Sequence, residues 1–153
     1  MANTYTQLHV HFVFGVKYRR ALIHKSWKDE LYKYMGGIIQ NQGHKILLIN
    51  GVEDHVHLLA GLRPVQSISD LMEKVKGDSS AWINTRQFLP VHFNWQGGYG
   101  AFALSKTHID RVYKYILNQE EHHRKRTFRE EYIDLLKENG IEFDEKYIFK
   151  DPE

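Results

Sequence analysis

Two imidazoles stand either side of one apolar residue in Asp54-His55-Val56-His57-Leu58-Leu59. On an extended strand alternate side chains leave opposite faces, so His55 and His57 share one face while Val56 and Leu58 take the other. Such a pair is a two-nitrogen clamp for a divalent cation, carried on a rigid element. A hydrogen-bonded surface pair has the same spacing, so the pattern needs further ligands before it reads as a metal site. A second His-Val-His, His9-Val10-His11, lies in the first predicted strand. Spacing does not choose between the two, although the first pair has no acidic neighbour and suits a structural or substrate-positioning role.

The second chemical candidate is a phenol. Ser105 or Thr107 can cap a helix predicted from His108 to Arg126. At about 100° per residue, Val112, Tyr113, Ile116 and Leu117 form one apolar stripe, which assigns Tyr113 to the core. Tyr115 falls on the other side with Gln119, His122, Arg111 and Arg126. A tyrosine on a polar, basic face is a candidate nucleophile; an ordinary half-exposed aromatic is the competing reading. If that helix adjoins the histidine strand, two imidazoles and the Gln119 amide oxygen could hold one Mg²⁺ or Mn²⁺, with mixed nitrogen and oxygen ligands favouring Mn²⁺. The ion would polarise a phosphate oxygen while Tyr115 attacks phosphorus. A free phenol titrates near about 10, so it needs nearby positive charge at neutral pH. Arg111, Arg126 and the cluster Lys17, Arg19 and Arg20 could lower that value or hold flanking phosphates. With Trp95 or Phe102 exposed, they would suit single-stranded nucleic acid, which binds by charge and base stacking.

These groups need a scaffold. From Tyr5 to Val16 the sequence alternates, with Leu8, Val10, Phe12, Phe14 and Val16 on one face and Tyr5, Gln7, His9, His11 and Val13 on the other, which predicts a strand. Ser26 is placed to cap a helix to about Gln40. His44 to Val52 predicts a second strand, Glu53-Asp54 a tight turn, and His55 to about Leu62 a third strand that Pro64 ends. Ser67 or Ser69 can cap a helix toward Ile83, and the aromatic and glycine-rich run from His92 to Ser105 predicts the last strand. Phe128 to Gly140 is an amphipathic helix, followed by a tail with spaced aromatics that is expected to fold back on the body or on a partner subunit. The order is α+β and predicts an antiparallel sheet with helices packed on one face in the ferredoxin-like or RRM-like manner, plus a C-terminal helix and tail. One domain spans residues 1–153, with a core of about 3–126 and a C-terminal extension of about 127–153.

Composition narrows the class. A chain of 153 residues can bury a core without staples, and with no cysteine it has neither disulfides nor a thiolate zinc site. No stretch approaches the roughly 20 apolar residues of a membrane span and no signal-peptide pattern is present, so a cytoplasmic location and no membrane contact are expected. The net charge of +2 is weak support for a polyanionic partner, but the ten histidines invite a search for ligands and acid–base groups.

Taken together, the strand ending Phe12-Val13-Phe14-Gly15-Val16-Lys17-Tyr18-Arg19-Arg20, the segment Asp54-His55-Val56-His57-Leu58-Leu59 and Tyr115-Ile116-Leu117-Asn118-Gln119 resemble the single-tyrosine HUH transposases of the insertion sequence 200/605 type over nearly the full length. The resemblance implies a ferredoxin-like homodimer in which His55, His57 and Gln119 hold Mg²⁺ or Mn²⁺ and Tyr115 attacks single-stranded DNA near hairpins at transposon ends. It implies a 5′-phosphotyrosine intermediate and a free 3′ hydroxyl. Gln119, four residues after the tyrosine, matches the family's ligand position; His122 on the same face could supplement it. The run Trp95 to Phe102 and the longer tail resemble a subgroup with extra C-terminal sequence. A nickase or domesticated relative with the same chemistry, or a non-catalytic single-stranded nucleic-acid-binding module, are the alternatives.

Overall fold

The alternation of the first strand sets the layers. In a computed structural model, which describes residues 3–149, β1 (His9–Gly15) runs antiparallel between β3 (His55–Gly61) and β4 (Gly100–Leu104), and β2 (Lys45–Val52) pairs antiparallel with β3. The sheet order is therefore β2-β3-β1-β4. Val10, Phe12 and Phe14 of β1, with Val56, Leu58 and Ala60 of β3, join the main core with Leu31, Met35 and Ile39 of α1 (Lys28–Asn41) and Leu71, Met72 and Val75 of α2 (Ile68–Arg86). Ser67 supplies the α2 cap, its side chain accepting from Asp70 N. The other face of the sheet carries His11, Val13, His55 and His57, and the C-terminal helices lie over it: α3 (Ile109–Leu117), α4 (Gln119–Lys125), α5 (Phe128–Glu138) and the short α6 (Glu145–Ile148). Val13 and Phe102 there form a second apolar cluster with Phe128, Leu135, Leu136 and Phe149. The α+β sheet is as expected, but helices cover both of its faces, α1 and α2 the one and the C-terminal helices the other, because the second face also carries apolar Val13 and Phe102 and the buried imidazoles; the tail folds back on its own body. The ends of the chain, residues 1–2 and 150–153, lie outside the described residues.

Several local expectations are corrected. β1 starts at His9, where its partners Gly61 and Leu104 end, so Tyr5 and Leu8 remain exposed. Ser26 does not cap α1, whose N-cap is Trp27 without a side-chain hydrogen bond. Only Gly100–Leu104 of the glycine-rich run is strand, with Trp95 bridging Val16 as an isolated pair. Trp95 and Phe102 are buried: Trp95 packs edge-on against Phe14 and Phe93 and donates to Ser79 Oγ (2.9 Å), and Phe102 lies in the second cluster. The helix expected from His108 to Arg126 breaks at Asn118 (φ −97°, ψ 28°), where Asn50 Nδ2 donates to the carbonyls of Ile116 (2.9 Å) and Leu117 (3.2 Å). These bonds satisfy carbonyls at the end of α3 and peg it to β2. Of the expected stripe only Ile116 is buried; Tyr113 and Leu117 are 37% and 55% exposed, so Tyr113 is not a core residue.

Gly15 fixes how closely α5 approaches the sheet. It stands opposite His55 in the ladder, and a Cβ there would collide with Phe128 Cε2. The bare backbone lets Phe128 slide over β1 and stack on the His55 ring at 4.1 Å. Gly15→Ala is expected to push α5 outward and destabilise the fold by about 1–3 kcal/mol through overpacking, read as a lower urea midpoint. An unchanged midpoint would show that Phe128 does not need this contact.

Candidate active site

β3 delivers the imidazole pair from the buried centre of the sheet, with His55 and His57 both inaccessible to solvent. His55 Nδ1 donates to Asp54 Oδ1 (2.6 Å), which fixes the ring and turns Nε2 inward. His57 Nδ1 lies 2.7 Å from Nε2 of His11, which is buried on β1 beside it. Burial, with the neighbouring His57, pushes His11 down to about 3, so it is neutral. A neutral imidazole can donate or accept, so His11 satisfies His57 Nδ1 in either tautomer. Of the first His-Val-His pair, then, His11 buttresses the site, whereas His9 turns away to Gln7 Oε1 (2.6 Å).

The third component was not singled out from sequence. Thr127 and Glu130 form a capping box that starts α5 and sets its rotation. Phe128, Glu131, Leu135 and Leu136 then face inward, and the Glu131 carboxylate is driven into the imidazole pair. Its Oε1 lies 2.9 Å from His55 Nε2 and 3.1 Å from His57 Nε2, while Oε2 accepts from Gln119 Nε2 (3.2 Å). Gln119 Oε1 is itself 3.1 Å from His55 Nε2. Burial alone would raise the Glu131 carboxyl, but hydrogen bonds from His55 and His57 overcome that and hold it well below the usual range. His55 is the reciprocal case: burial would lower it, yet its bonds to Asp54 and Glu131 raise it to about 9. His57, fully buried, is shifted down. The signal for Glu131 was present in the sequence, since an acid among apolar residues at three- and four-residue spacing needs a buried partner.

Tyr115 reaches the same carboxylate. Its hydroxyl donates to Glu131 Oε2 and accepts from Arg126 Nη2 (2.8 Å). Arg126 is steadied in turn by Asp134. Burial and the Glu131 charge push the phenol above its ordinary value, with Arg126 opposing them. A cleft of about 530 Å³ opens onto Tyr115, lined by His11, Arg111 and Arg126. The His122 ring stacks on Tyr115 at 4.5 Å. Among the described residues the converging ligand groups are His55, His57 and Glu131, and Asp54, His55 and His123; His122 belongs to neither. Lys17, Arg19 and Arg20 lie apart from this cleft, at the end of β1: Lys17 and Arg19 belong to a 3₁₀ turn beside the Asp54 end of the hairpin, and Arg19 lies over the Phe149 ring at 4.9 Å.

The donor set fits a divalent cation. Ligands about 2.1 Å from one octahedral ion stand roughly 3 Å apart, the spacing at which the two Nε2 atoms and Gln119 Oε1 meet Glu131 and His55 here. An ion takes imidazole only in its neutral form, so the His55 proton competes with it. Mn²⁺ affinity is therefore expected to climb as pH rises from 6.5 to about 9 and then level off, as read from the electron paramagnetic resonance of free Mn²⁺. A flat profile across that interval would remove His55 from the ligand set.

A family profile described as "Transposase IS200 like" matches residues 4–119, which takes in both histidine pairs, Tyr115 and Gln119 but stops before Arg126 and Glu131. The chain is 28% identical over 120 residues to the ISDra2 transposase TnpA of Deinococcus radiodurans, covering 75% of this chain and 86% of that protein. It is 27% identical over 127 residues to the transposase for insertion sequence element IS200 of Salmonella typhimurium, covering 79% and 82%. Two solved structures share the fold. One, assigned as a transposase of Deinococcus radiodurans R1, superposes with TM-score 0.62 at 23% identity over 78% of this chain and 95% of that one. The other, a REP-associated tyrosine transposase bound to a REP hairpin, gives TM-score 0.61 at 14% identity over 100% and 93%. The chain belongs to the IS200-like transposase family.

Proposed function

We propose that this transposase cuts and rejoins single-stranded DNA through Tyr115, with a divalent cation, Mn²⁺ or Mg²⁺, held by His55, His57, Gln119 and Glu131. The observation that carries the reading is the meeting of phenol, amide and both imidazoles on one buried carboxylate. In the cutting step the Tyr115 oxygen bonds to phosphorus, the P–O3′ bond breaks, and its electron pair leaves with the 3′ oxygen, which takes up a proton. The products are a 5′-phosphotyrosine and a 3′ hydroxyl. Attack of a 3′ hydroxyl on that phosphotyrosine reverses the bonds and restores the phenol, so no nucleotide is hydrolysed.

Glu131 divides its work between two oxygens. Oε1 faces the imidazoles, and Oε2 accepts the Tyr115 O–H hydrogen bond that aims the phenol oxygen, while the proton the phenol gives up on attack is balanced by the one the 3′ oxygen takes up. Arg126 then stabilises the phenolate, and with Arg111 lines the approach for phosphates. The bound cation would supply Lewis-acid polarisation of the scissile phosphate. Lys17, Arg19 and Arg20, past the Gly15 end of β1, serve as a second phosphate contact. The hairpin held by the solved tyrosine transposase supports hairpin-bearing ends as the substrate, and the exposed Tyr113 and Leu117 on α3 support a homodimer. Among the described residues no helix is long and apolar enough to cross a membrane.

Incubation with Mn²⁺ and single-stranded DNA from the flanks of its own gene is expected to give a protein–DNA adduct that survives denaturation. Tyr115→Phe should abolish it and Tyr113→Phe should not. His55→Ala or His57→Ala should lose cleavage by at least about 100-fold while keeping much of the DNA binding. Binding with no adduct in the parent protein would instead favour a non-catalytic binding module.

A further inference from the structure

Gln96 carries a polar atom that lacks a partner. Its Nε2 donates to Ile148 O (2.5 Å), but Oε1 is buried and accepts no hydrogen bond among the described residues. Buried acceptors are normally satisfied, so an orphan at the wall of a cavity points to a donor from outside. The loop that holds it is pinned. Lys76 Nζ donates to both Gln96 O and Gly98 O (2.6 Å each), Gln96 N donates to Gly15 O (2.8 Å), and Lys17 N donates to Asn94 O (3.0 Å). The amide is therefore held in place by backbone bonds on both sides.

Gln96 borders a cavity of about 320 Å³ between this loop, α5 and the tail, walled by Tyr99, Tyr132, Phe143, Tyr147 and Phe149. That volume lies at the small end of ligand sites, about 300–1,000 Å³. A second cavity of about 360 Å³ shares Gln96, Gly97 and Tyr147 and adds Lys17 and Tyr18. Tyr147 stands at the rim, 84% exposed. Aromatic walls, a pinned amide acceptor and an adjoining cation match the three parts of one nucleotide: a flat ring, its N–H edge and its phosphate. Phe128 lines the first cavity and also stacks on His55, so a single ring separates the cavity from the reacting centre.

We propose that this cavity takes one unstacked nucleobase of the DNA strand, with Gln96 Oε1 accepting from the base, Tyr147 closing over it and Lys17 holding its phosphate. The proposal rests on the DNA reading above and adds a base-reading site outside the cleft of Tyr115.

The test uses the full chain carrying Tyr115→Phe, so that binding is read without cleavage, and labelled single-stranded oligonucleotides from the gene's flanks, each with one abasic site. One position, or two adjacent ones, should weaken binding about ten-fold when abasic. Adding Gln96→Met, which keeps the length but not the acceptor, or Tyr147→Ala, at an exposed position, should weaken binding of the intact strand about ten-fold and erase that positional penalty. Variants that match their parent at every position would overturn the pocket while leaving the DNA reading intact. Failure of every oligonucleotide to bind, with no adduct from the Tyr115 protein, would remove both.

Discussion

The structure turns on a buried carboxylate that must be paired. An ionised acid taken out of water is tolerated only where donors surround it, and Glu131 has His55, His57, Gln119 and Tyr115 around its two oxygens. Each of those groups comes from a different part of the chain: the imidazoles from β3, the amide from α4, the phenol from α3. The carboxylate therefore fixes three elements against one another, and the local choices around it serve that end. Gly15 gives Phe128 room, Thr127 sets the rotation of α5, and Asn50 ends α3 where Tyr115 and Gln119 both point inward.

The same arrangement explains the histidines. His55 is oriented by an acid and His57 by another imidazole, so the pair presents two Nε2 atoms to one point from a strand that cannot bend. The partners also set the charge. A raised His55 beside a strongly acidic Glu131 is an internal ion pair, and a cation entering there replaces a proton with a larger positive charge. His11 and Asp54 act through the imidazoles, deciding which nitrogen faces inward.

Much of this was legible in the sequence because strand chemistry is local. Alternation separated His11 and Val13 from Phe12 and Phe14 within one strand, and His55 and His57 from Val56 and Leu58 within another, and the pairing of β1 with β3 then puts His11, Val13, His55 and His57 on one face. Tyr115 and Gln119 were recoverable because one helical turn separates them, and the break at Asn118 leaves both facing the site. That break was not legible, since it depends on Asn50, more than sixty residues away, bonding to the last carbonyls of α3. Tyr113 was misjudged for a related reason: helical phase says which residues share a side, not whether that side meets another element. Glu131 was hidden because amphipathicity was read from its apolar neighbours, and the acid among them looked like part of an acidic surface.

The family match ends at Gln119, so the carboxylate lies beyond the matched segment. The central claim is that α5 completes the site. It is tested most directly by the Mn²⁺ affinity of Glu131→Gln, followed by electron paramagnetic resonance on protein whose urea midpoint is measured alongside. The amide keeps the volume and can still accept from Tyr115 but carries no charge. The account predicts Mn²⁺ binding weaker by about 10- to 100-fold in a folded protein; binding as tight as that of the unaltered chain would contradict it.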